Sequence, residues 1–185
     1  MEKNVNKSSL WAYFVLSLIT LLTTACNKDD DYTPIVASAQ SRGLLVSCLD
    51  KDGKNLLADK AFVKGISAYG YESKKKISCQ VKEVQGKSYI SFAADLPDER
   101  KMQFSDNKKQ ATGMTQIRLK VNNQEIILKC FFKYTNSFKA PMLGGTSIVI
   151  EKVTFGQRSV KRASTTEISG DLVIRLQMDK NGKLQ

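Results

Sequence analysis

Histidine is absent from this sequence, and the single tryptophan, Trp11, lies in a segment that we expect to be removed. Histidine is the commonest general base in enzymes and the commonest protein ligand of metal ions. Tryptophan is the side chain on which sugars and cations stack best. Because the mature chain would lack both residues, its composition disfavours an enzyme, a histidine-containing metal site and a sugar-stacking site.

Long apolar runs are also scarce. The one clear run, residues 10–22, has 13 residues and no charge. A membrane-spanning helix needs about 20 apolar residues, so this run is too short. Lys3 and Lys7 precede it, and three small residues and then Cys26 follow it. Because this order is typical of a cleaved secretory signal, we predict a signal peptide over residues 1–25.

Cys26 occupies the position of the lipid-attachment cysteine of a bacterial lipoprotein. The preceding residues, Leu22-Thr23-Thr24-Ala25, resemble a lipobox in which Thr23 stands where Leu is typical. The resemblance implies that Cys26 becomes a diacylglycerol cysteine bearing palmitate, which anchors the chain in the outer membrane. The alternative is an ordinary secretory signal in which this cysteine is incidental.

Residues 27–31 (NKDDD) form a short acidic tag directly after Cys26. The tag is similar to one found in many surface-exposed lipoproteins of the Bacteroidetes group, and this resemblance implies display on the cell surface. A periplasm-facing tether is the alternative. The whole layout resembles that of small lipoproteins of unknown function in this group, which often carry immunoglobulin-like or transthyretin-like domains. Residues 49–57 (LDKDGKNLL) are a familiar opening for such domains.

The mature chain divides into a tether and one domain. Residues 26–42 contain the lipidated cysteine and a polar stretch with Pro34 and no usable periodicity, so we predict a flexible tether there. Residues 43–185 form the domain. A chain of this size buries about two-thirds of its unfolded surface, and it therefore needs neither a metal nor disulfides to fold.

Apolar and polar residues alternate through most of the domain, which predicts strands. On one face lie Leu44, Val46 and Cys48; Ile77, Cys79 and Val81; and Leu172, Ile174, Leu176 and Met178. Further strands are expected near residues 61–71, 88–96 and 147–155. We therefore predict an all-β fold, an antiparallel β-sandwich of about seven to nine strands, immunoglobulin-like or transthyretin-like.

The clearest β-hairpin spans residues 116–134. Its first arm places Ile117, Leu119 and Val121 on one face; its second arm does the same with Ile126, Leu128, Cys130, Phe132 and Tyr134. Asn122 and Asn123 lie between the arms, and asparagine tolerates the positive φ that a tight hairpin turn requires.

Two segments look like calcium loops, but we interpret both as tight turns. Asp50-Lys51-Asp52-Gly53-Lys54 is echoed by residues 179–183 (DKNGK). A calcium loop aligned on Asp50 would need an oxygen ligand at position 48, where a cysteine stands, and a glutamate at position 59. We therefore predict no metal and no cofactor.

Cys48, Cys79 and Cys130 each lie on the apolar face of a predicted strand. A buried thiol behaves as a small apolar side chain, so we expect three free, buried cysteines. One disulfide among the three is the alternative in an oxidising compartment. A nucleophilic role is disfavoured because no histidine is present to activate a thiol.

Positive charge is the feature that points to a partner. Loss of the signal peptide leaves 27 Lys+Arg against 17 Asp+Glu, a formal charge of +10. On the hairpin, Arg118, Lys120, Lys129 and Lys133 share the outward face with an aromatic residue; we call these four residues the basic strip. We predict contact with an anionic glycan, lipopolysaccharide or protein surface. A solvated sheet face is the alternative, and nucleic acid is disfavoured by the outer-membrane location.

Three classes of function remain open. The first is a structural or binding module without catalytic activity. The second is a pilin-like or envelope-assembly subunit, because the dibasic Lys161-Arg162 in a predicted loop could be cut by a trypsin-like protease. The third is an enzyme that uses Asp95, Asp98 and Glu99, for which the sequence shows no pairing. The first class is favoured, since the usual catalytic residue patterns are missing.

The anchor gives the first testable prediction. Each buried CH₂ of an acyl chain contributes about 0.8 kcal/mol, so two or more chains hold a protein stably on a membrane. Cys26→Ser should therefore move the protein from the membrane fraction to the soluble fraction in a fractionation assay. Continued membrane association of this variant, with unchanged processing, would contradict the lipoprotein interpretation.

Overall fold

The computed structural model describes residues 32–137, 144–162, 167–168 and 170–185. The predicted signal peptide, Cys26 and the acidic tag lie outside these residues. Within the described part, no helix has the length and apolar character needed to cross a membrane.

Two β-sheets make up the domain, with their strands numbered here in chain order. The larger sheet has eight strands: β1 (Ala39–Ser41), β3 (Ser67–Gly70), β4 (Lys76–Ile77), β7 (Gln103–Phe104), β8 (Gln110–Val121), β9 (Gln124–Asn136), β10 (Thr146–Phe155) and β11 (Arg158–Lys161). The smaller sheet has five: β2 (Gly43–Leu49), β5 (Cys79–Val84), β6 (Lys87–Ala93), β12 (Glu167–Ile168) and β13 (Asp171–Gln177). Helix is limited to α1 (Lys60–Val63) and the 3₁₀ turns Leu56–Ala58 and Glu99–Lys101 among the described residues.

The all-β prediction is confirmed. The larger sheet runs β1-β10-β9-β8-β3-β4, with β11 also on β10 and β7 also on β8, and the smaller sheet runs β12-β13-β2-β6-β5. Most pairs are antiparallel, but β1 lies parallel to β10 and β13 lies parallel to β2. The strands outnumber the predicted seven to nine because several of them have only two to four residues, too few to show an alternation.

The predicted hairpin is present as β8 and β9. The inward residues Ile117, Leu119 and Leu128 are fully buried. Asn122 and Asn123 form the turn with φ of 46° and 60°, which matches the hairpin turn whose central residues both have positive φ. This turn sets the register in which Val121 pairs with Gln124.

The core lies between the two sheets. From the smaller sheet, β2 contributes Leu44, Val46 and Cys48, and β13 contributes Leu172, Ile174 and Leu176. All six are fully buried, as the alternation predicts. On the opposite face of β2, Leu45 packs with Tyr89 and Val173 in a small second cluster. The strand β2 is thus buried on both faces, because Tyr89 and Val173 of the two flanking strands cover Leu45.

Two predicted strands are wrong in part. Ile77 and Val81 were expected on one strand, but the chain changes sheet at Ser78, so that β4 belongs to the larger sheet and β5 to the smaller. Val81 pairs with the buried Ile90, but it is 38% exposed because β5 is the edge strand of the smaller sheet. Only the second half of residues 61–71 is a strand, because Asp59 caps α1 by accepting a hydrogen bond from the Ala61 amide at 2.8 Å.

The flexible tether predicted for residues 26–42 does not reach residue 42. Ile35 is 3% exposed, and its amide donates to the carbonyl of Pro97 at 3.2 Å. Strand β1 then pairs with β10 through Ala39, Gln40 and Ser41. Residues 32–42 therefore belong to the domain. Their mixed composition hides this role, since the contacts that order them come from residues far away in the sequence.

Adjacent residues test this correction directly. Ile35→Ala should lower the free energy of unfolding by about 2–4 kcal/mol, because it opens a cavity in the core. Val36→Ala should change it by less than about 0.5 kcal/mol, since Val36 is 79% exposed. Urea denaturation of both variants measures the difference. Equal, small effects would mean that residues 32–42 are a tether after all.

Candidate functional site

All four residues of the basic strip lie on the outward face of β8 and β9, where they alternate with buried residues. In the hairpin register, Lys129 lies beside Gln116, and Lys133 lies beside Thr112. The strands thus hold the four cations on one side of the larger sheet, as the alternation predicts.

The members of the basic strip differ in their surroundings. Arg118 is 3.2 Å from the carboxylate of Glu125, and its guanidinium donates to the Tyr71 hydroxyl at 2.8 Å. The guanidinium also lies 5.1 Å from the centre of the Tyr71 ring. The hydrogen bond with Tyr71 and the charge of Glu125 raise the pKa of Arg118, which therefore stays charged. This contact fixes the position of its head group.

The lysines of the basic strip differ in whether they form ion pairs. Lys133 is 3.7 Å from Glu151, so its charge is partly compensated. Neither Lys120 nor Lys129 forms an ion pair within the part of the chain that the structure describes. The uncompensated charge of the basic strip is therefore concentrated on these two lysines.

A cleft of about 950 Å³ opens on the same outward face, next to the basic strip. Met114, Phe131 and Val149 contribute its apolar surface. Its other uncharged lining residues are Gln103, Thr112, Gly113 and Phe132. Its charged lining residues are Glu72, Lys101, Glu151, Lys152, Lys161 and Arg162.

Three of the four basic side chains of the cleft have contacts that hold them in place. Lys101 donates to Glu72 at 2.7 Å, and the Lys152 ammonium lies 4.2 Å from the centre of the Phe131 ring. Arg162 donates from Nε to the Ile150 carbonyl at 2.7 Å, and from Nη1 to the Gly170 carbonyl at 3.2 Å. Ordered basic side chains therefore line one side of the cleft, and apolar residues form its floor. Lys152 lies where the two meet.

Sequence reasoning missed this cleft. Outward apolar residues at positions 114, 131 and 149 were a possible signal, but they lie on different strands. Gly113 carries no signal for the cleft, since its missing side chain faces the core: a Cβ there would come within 2.5 Å of Met102 Sδ and 3.0 Å of Pro97 Cβ. The segment before β7 thus packs directly onto β8, and this close approach requires glycine.

The prediction that the dibasic pair Lys161-Arg162 lies in a loop is wrong for Lys161. Lys161 is the last residue of β11 and pairs with Lys152 of β10, and Arg162 is half-buried through the bonds described above. Protease access to this pair would require these contacts to open.

The suspected calcium loops are turns, as predicted. Asp50 accepts hydrogen bonds from the amides of Asp52 and Lys54 at 2.9 and 2.8 Å. Asp179 accepts from the amides of Asn181 and Lys183 at 2.8 and 2.9 Å. Each aspartate thus closes its own turn. No metal-binding group of three or more His, Cys, Asp or Glu occurs among the described residues.

Asp95 and Asp98, two of the three acids considered for catalysis, have structural partners. Asp98 forms two side-chain bonds with Arg100, at 3.0 and 2.7 Å, and these lower the pKa of Asp98. It also caps the 3₁₀ turn that begins at Glu99. Asp95 accepts a short hydrogen bond from the Ser73 hydroxyl. These contacts hold the segment between β6 and β7 in place.

The cysteines differ in burial. Cys48 and Cys130 are fully buried, and burial raises the pKa of each thiol to about 12. Cys79 is only half-buried, because it stands where the chain enters β5 at the edge of the smaller sheet. All three are free thiols.

Thiol labelling tests this ranking. Because the thiolate is the reactive form, Cys48 and Cys130 should react with a maleimide only when the protein unfolds, whereas Cys79 should react first. In the Cys26→Ser background, intact mass should show one label under native conditions and three in denaturant. Native labelling of Cys48 or Cys130 at the rate of Cys79 would contradict the strand assignment.

The chain matches no protein-family model, no curated protein and no solved structure. We therefore infer its function from the outward face of the larger sheet and from the sequence of residues 1–31.

Proposed function

We propose that this protein is a lipoprotein of the outer membrane, anchored through Cys26 and displayed on the cell surface. In this proposal its domain is a binding module without catalytic activity that contacts an anionic partner. The basic strip on β8 and β9 is the observation that supports this role most directly.

The position of the basic strip within the sheet favours a binding role over edge protection. Lysines on exposed strands often prevent two sheets from pairing edge to edge. That explanation applies to edge strands, whereas β8 and β9 are interior: β9 lies between β10 and β8, and β8 lies between β9 and β3. The cations of the basic strip therefore do not serve to protect an edge.

Electrostatics favours a partner with many acidic groups. Several cations on one face of a sheet attract anions and speed the encounter with them. Lys120 and Lys129 project from paired strands, so binding would order only their side chains. An acidic glycan, the phosphates of lipopolysaccharide and an acidic protein surface all present suitable groups.

A pilin-like or assembly role is the second candidate, and the structure gives it less support. That role was suggested by cleavage at Lys161-Arg162, but Lys161 is paired in β11 and Arg162 is bonded to two backbone carbonyls. The intact mass of protein isolated from membranes tests the role. A chain trimmed after residue 161 or 162 would favour assembly over tethered display.

The basic strip can be tested by its response to salt. Replacing Lys120, Lys129 and Lys133 with Gln should lower the salt concentration at which the protein elutes from immobilised heparin or lipopolysaccharide. The reason is that the removed charges act over a screening length of about 10 Å at 0.1 M ionic strength.

A matched control removes the same charge elsewhere. The control variant carries Lys75→Gln, Lys82→Gln and Lys87→Gln. These three lysines lie on or near other strands, and their replacement changes the net charge equally. The proposal predicts a clearly smaller shift for this control. Equal shifts would show that net charge alone governs retention, and the basic strip would then not be a site.

A further inference from the structure

The cleft has the size and position of a ligand site. Its volume of about 950 Å³ falls in the range of about 300–1,000 Å³ that is common for small-molecule sites. It is lined by residues from β7, β8, β9, β10 and β11, which lie side by side. Neighbouring strands are about 4.8 Å apart, so the cleft runs across the sheet for roughly 19 Å. An elongated molecule fits this shape.

The floor of the cleft is apolar although it faces solvent. Met114 and Phe131 are register partners on β8 and β9, and Val149 lies on the next strand. Met114 remains 39% exposed. The rest of the outward face of β8 and β9 carries mainly charged and polar residues, so this apolar group interrupts the expected pattern. Contact with the apolar part of a ligand would remove this apolar surface from water, which is favourable.

The charge around the floor is positive on balance. Four of the six charged lining residues are basic. Both acids have basic partners: Glu72 pairs with Lys101 at 2.7 Å, and Glu151 pairs with Lys133 at 3.7 Å. Lys152 and Lys161 stand opposite each other on β10 and β11, at one end of the apolar floor.

We propose that the cleft binds an amphipathic anion. Its linear apolar chain would lie along Met114, Phe131 and Val149, and its acidic group would lie against Lys152 and Lys161. A purely polar polymer would leave the apolar floor unused, and a neutral chain would leave the basic end unused. A carboxylate or a phosphate on an acyl chain has the required chemistry, whether it comes from a free fatty acid or from a lysophospholipid.

This inference goes beyond the proposed function and uses different residues. The basic strip contacts a large anionic surface, whereas the cleft takes one small molecule. Binding at the cleft could be disproved without affecting binding at the basic strip, and the reverse, because Met114 and Lys152 are not part of the basic strip.

Fluorescence titration tests the site. The probe is dansyl-labelled undecanoate, and the protein is the full chain carrying Cys26→Ser, so that no attached acyl chain competes. We expect saturable binding with increased dansyl emission. Met114→Asp should raise the Kd at least about tenfold, since it places a carboxylate on the floor. Lys152→Glu should raise it about fivefold through loss of the attraction.

Two matched variants serve as controls. Val81→Asp places the same charge at a residue of similar exposure, 38% against 39% for Met114, on the smaller sheet. Lys82→Glu repeats the charge reversal there. Neither should change the Kd by more than about twofold. Thermal unfolding of each variant shows that it is folded. Met114→Asn, which changes no charge, should weaken probe binding and leave heparin retention unchanged, which separates this test from that of the basic strip.

Competition on the unmutated cleft keeps the inference testable if a variant does not fold. Decanoate, decyl phosphate and lysophosphatidate should displace the probe, whereas decyl maltoside, with the same chain and a neutral head, should not. Displacement by decanoate alone would identify a free acid as the source, and displacement by lysophosphatidate alone would identify a membrane lipid. Absence of saturable binding, equal losses for Met114→Asp and Val81→Asp, or equal displacement by decyl maltoside would each overturn the inference.

Discussion

The register of β8 against β9 is the constraint on which the rest of this structure depends. Ile117, Leu119, Leu128 and Cys130 face the core because the two strands pair in one fixed alignment. A slip of one residue would turn the inward residues of one of the two strands towards solvent and bury its cationic neighbours, at a large cost in free energy. The turn at Asn122–Asn123 and the apolar inward face thus specify the same alignment.

Gln124, the first residue after that turn, connects the hairpin to the segment that follows β13. The Gln124 side chain donates to the Gly182 carbonyl at 2.6 Å and accepts from the Leu184 amide at 2.8 Å. Leu184 is buried in the common core. Because the turn at Asp179 directly follows β13, this contact joins the end of the hairpin to the smaller sheet. The two sheets are therefore linked by polar bonds as well as by apolar packing.

The sequence predicts those parts of the structure that repeat over a few residues. The alternation in β8, β9 and β13 gives the correct inward faces, and the paired asparagines give the correct turn. The sequence does not predict features that depend on distant contacts: the crossing between sheets at Ser78, the packing of Ile35 against Pro97, and the cleft, whose lining comes from five strands. The placement of the basic strip could be predicted for the same reason as the core, since both follow from one alternation.

We propose that the outward face of β8 and β9 meets a partner in the cell envelope. The most direct measurement compares the rates of lysine acetylation in the protein on native outer membranes and in the purified protein. The claim predicts that Lys120 and Lys129 react more slowly on the membrane, while Lys82 and Lys87 react equally in both preparations. Unchanged reactivity of Lys120 and Lys129, or protection of Lys82 and Lys87 instead, would contradict it.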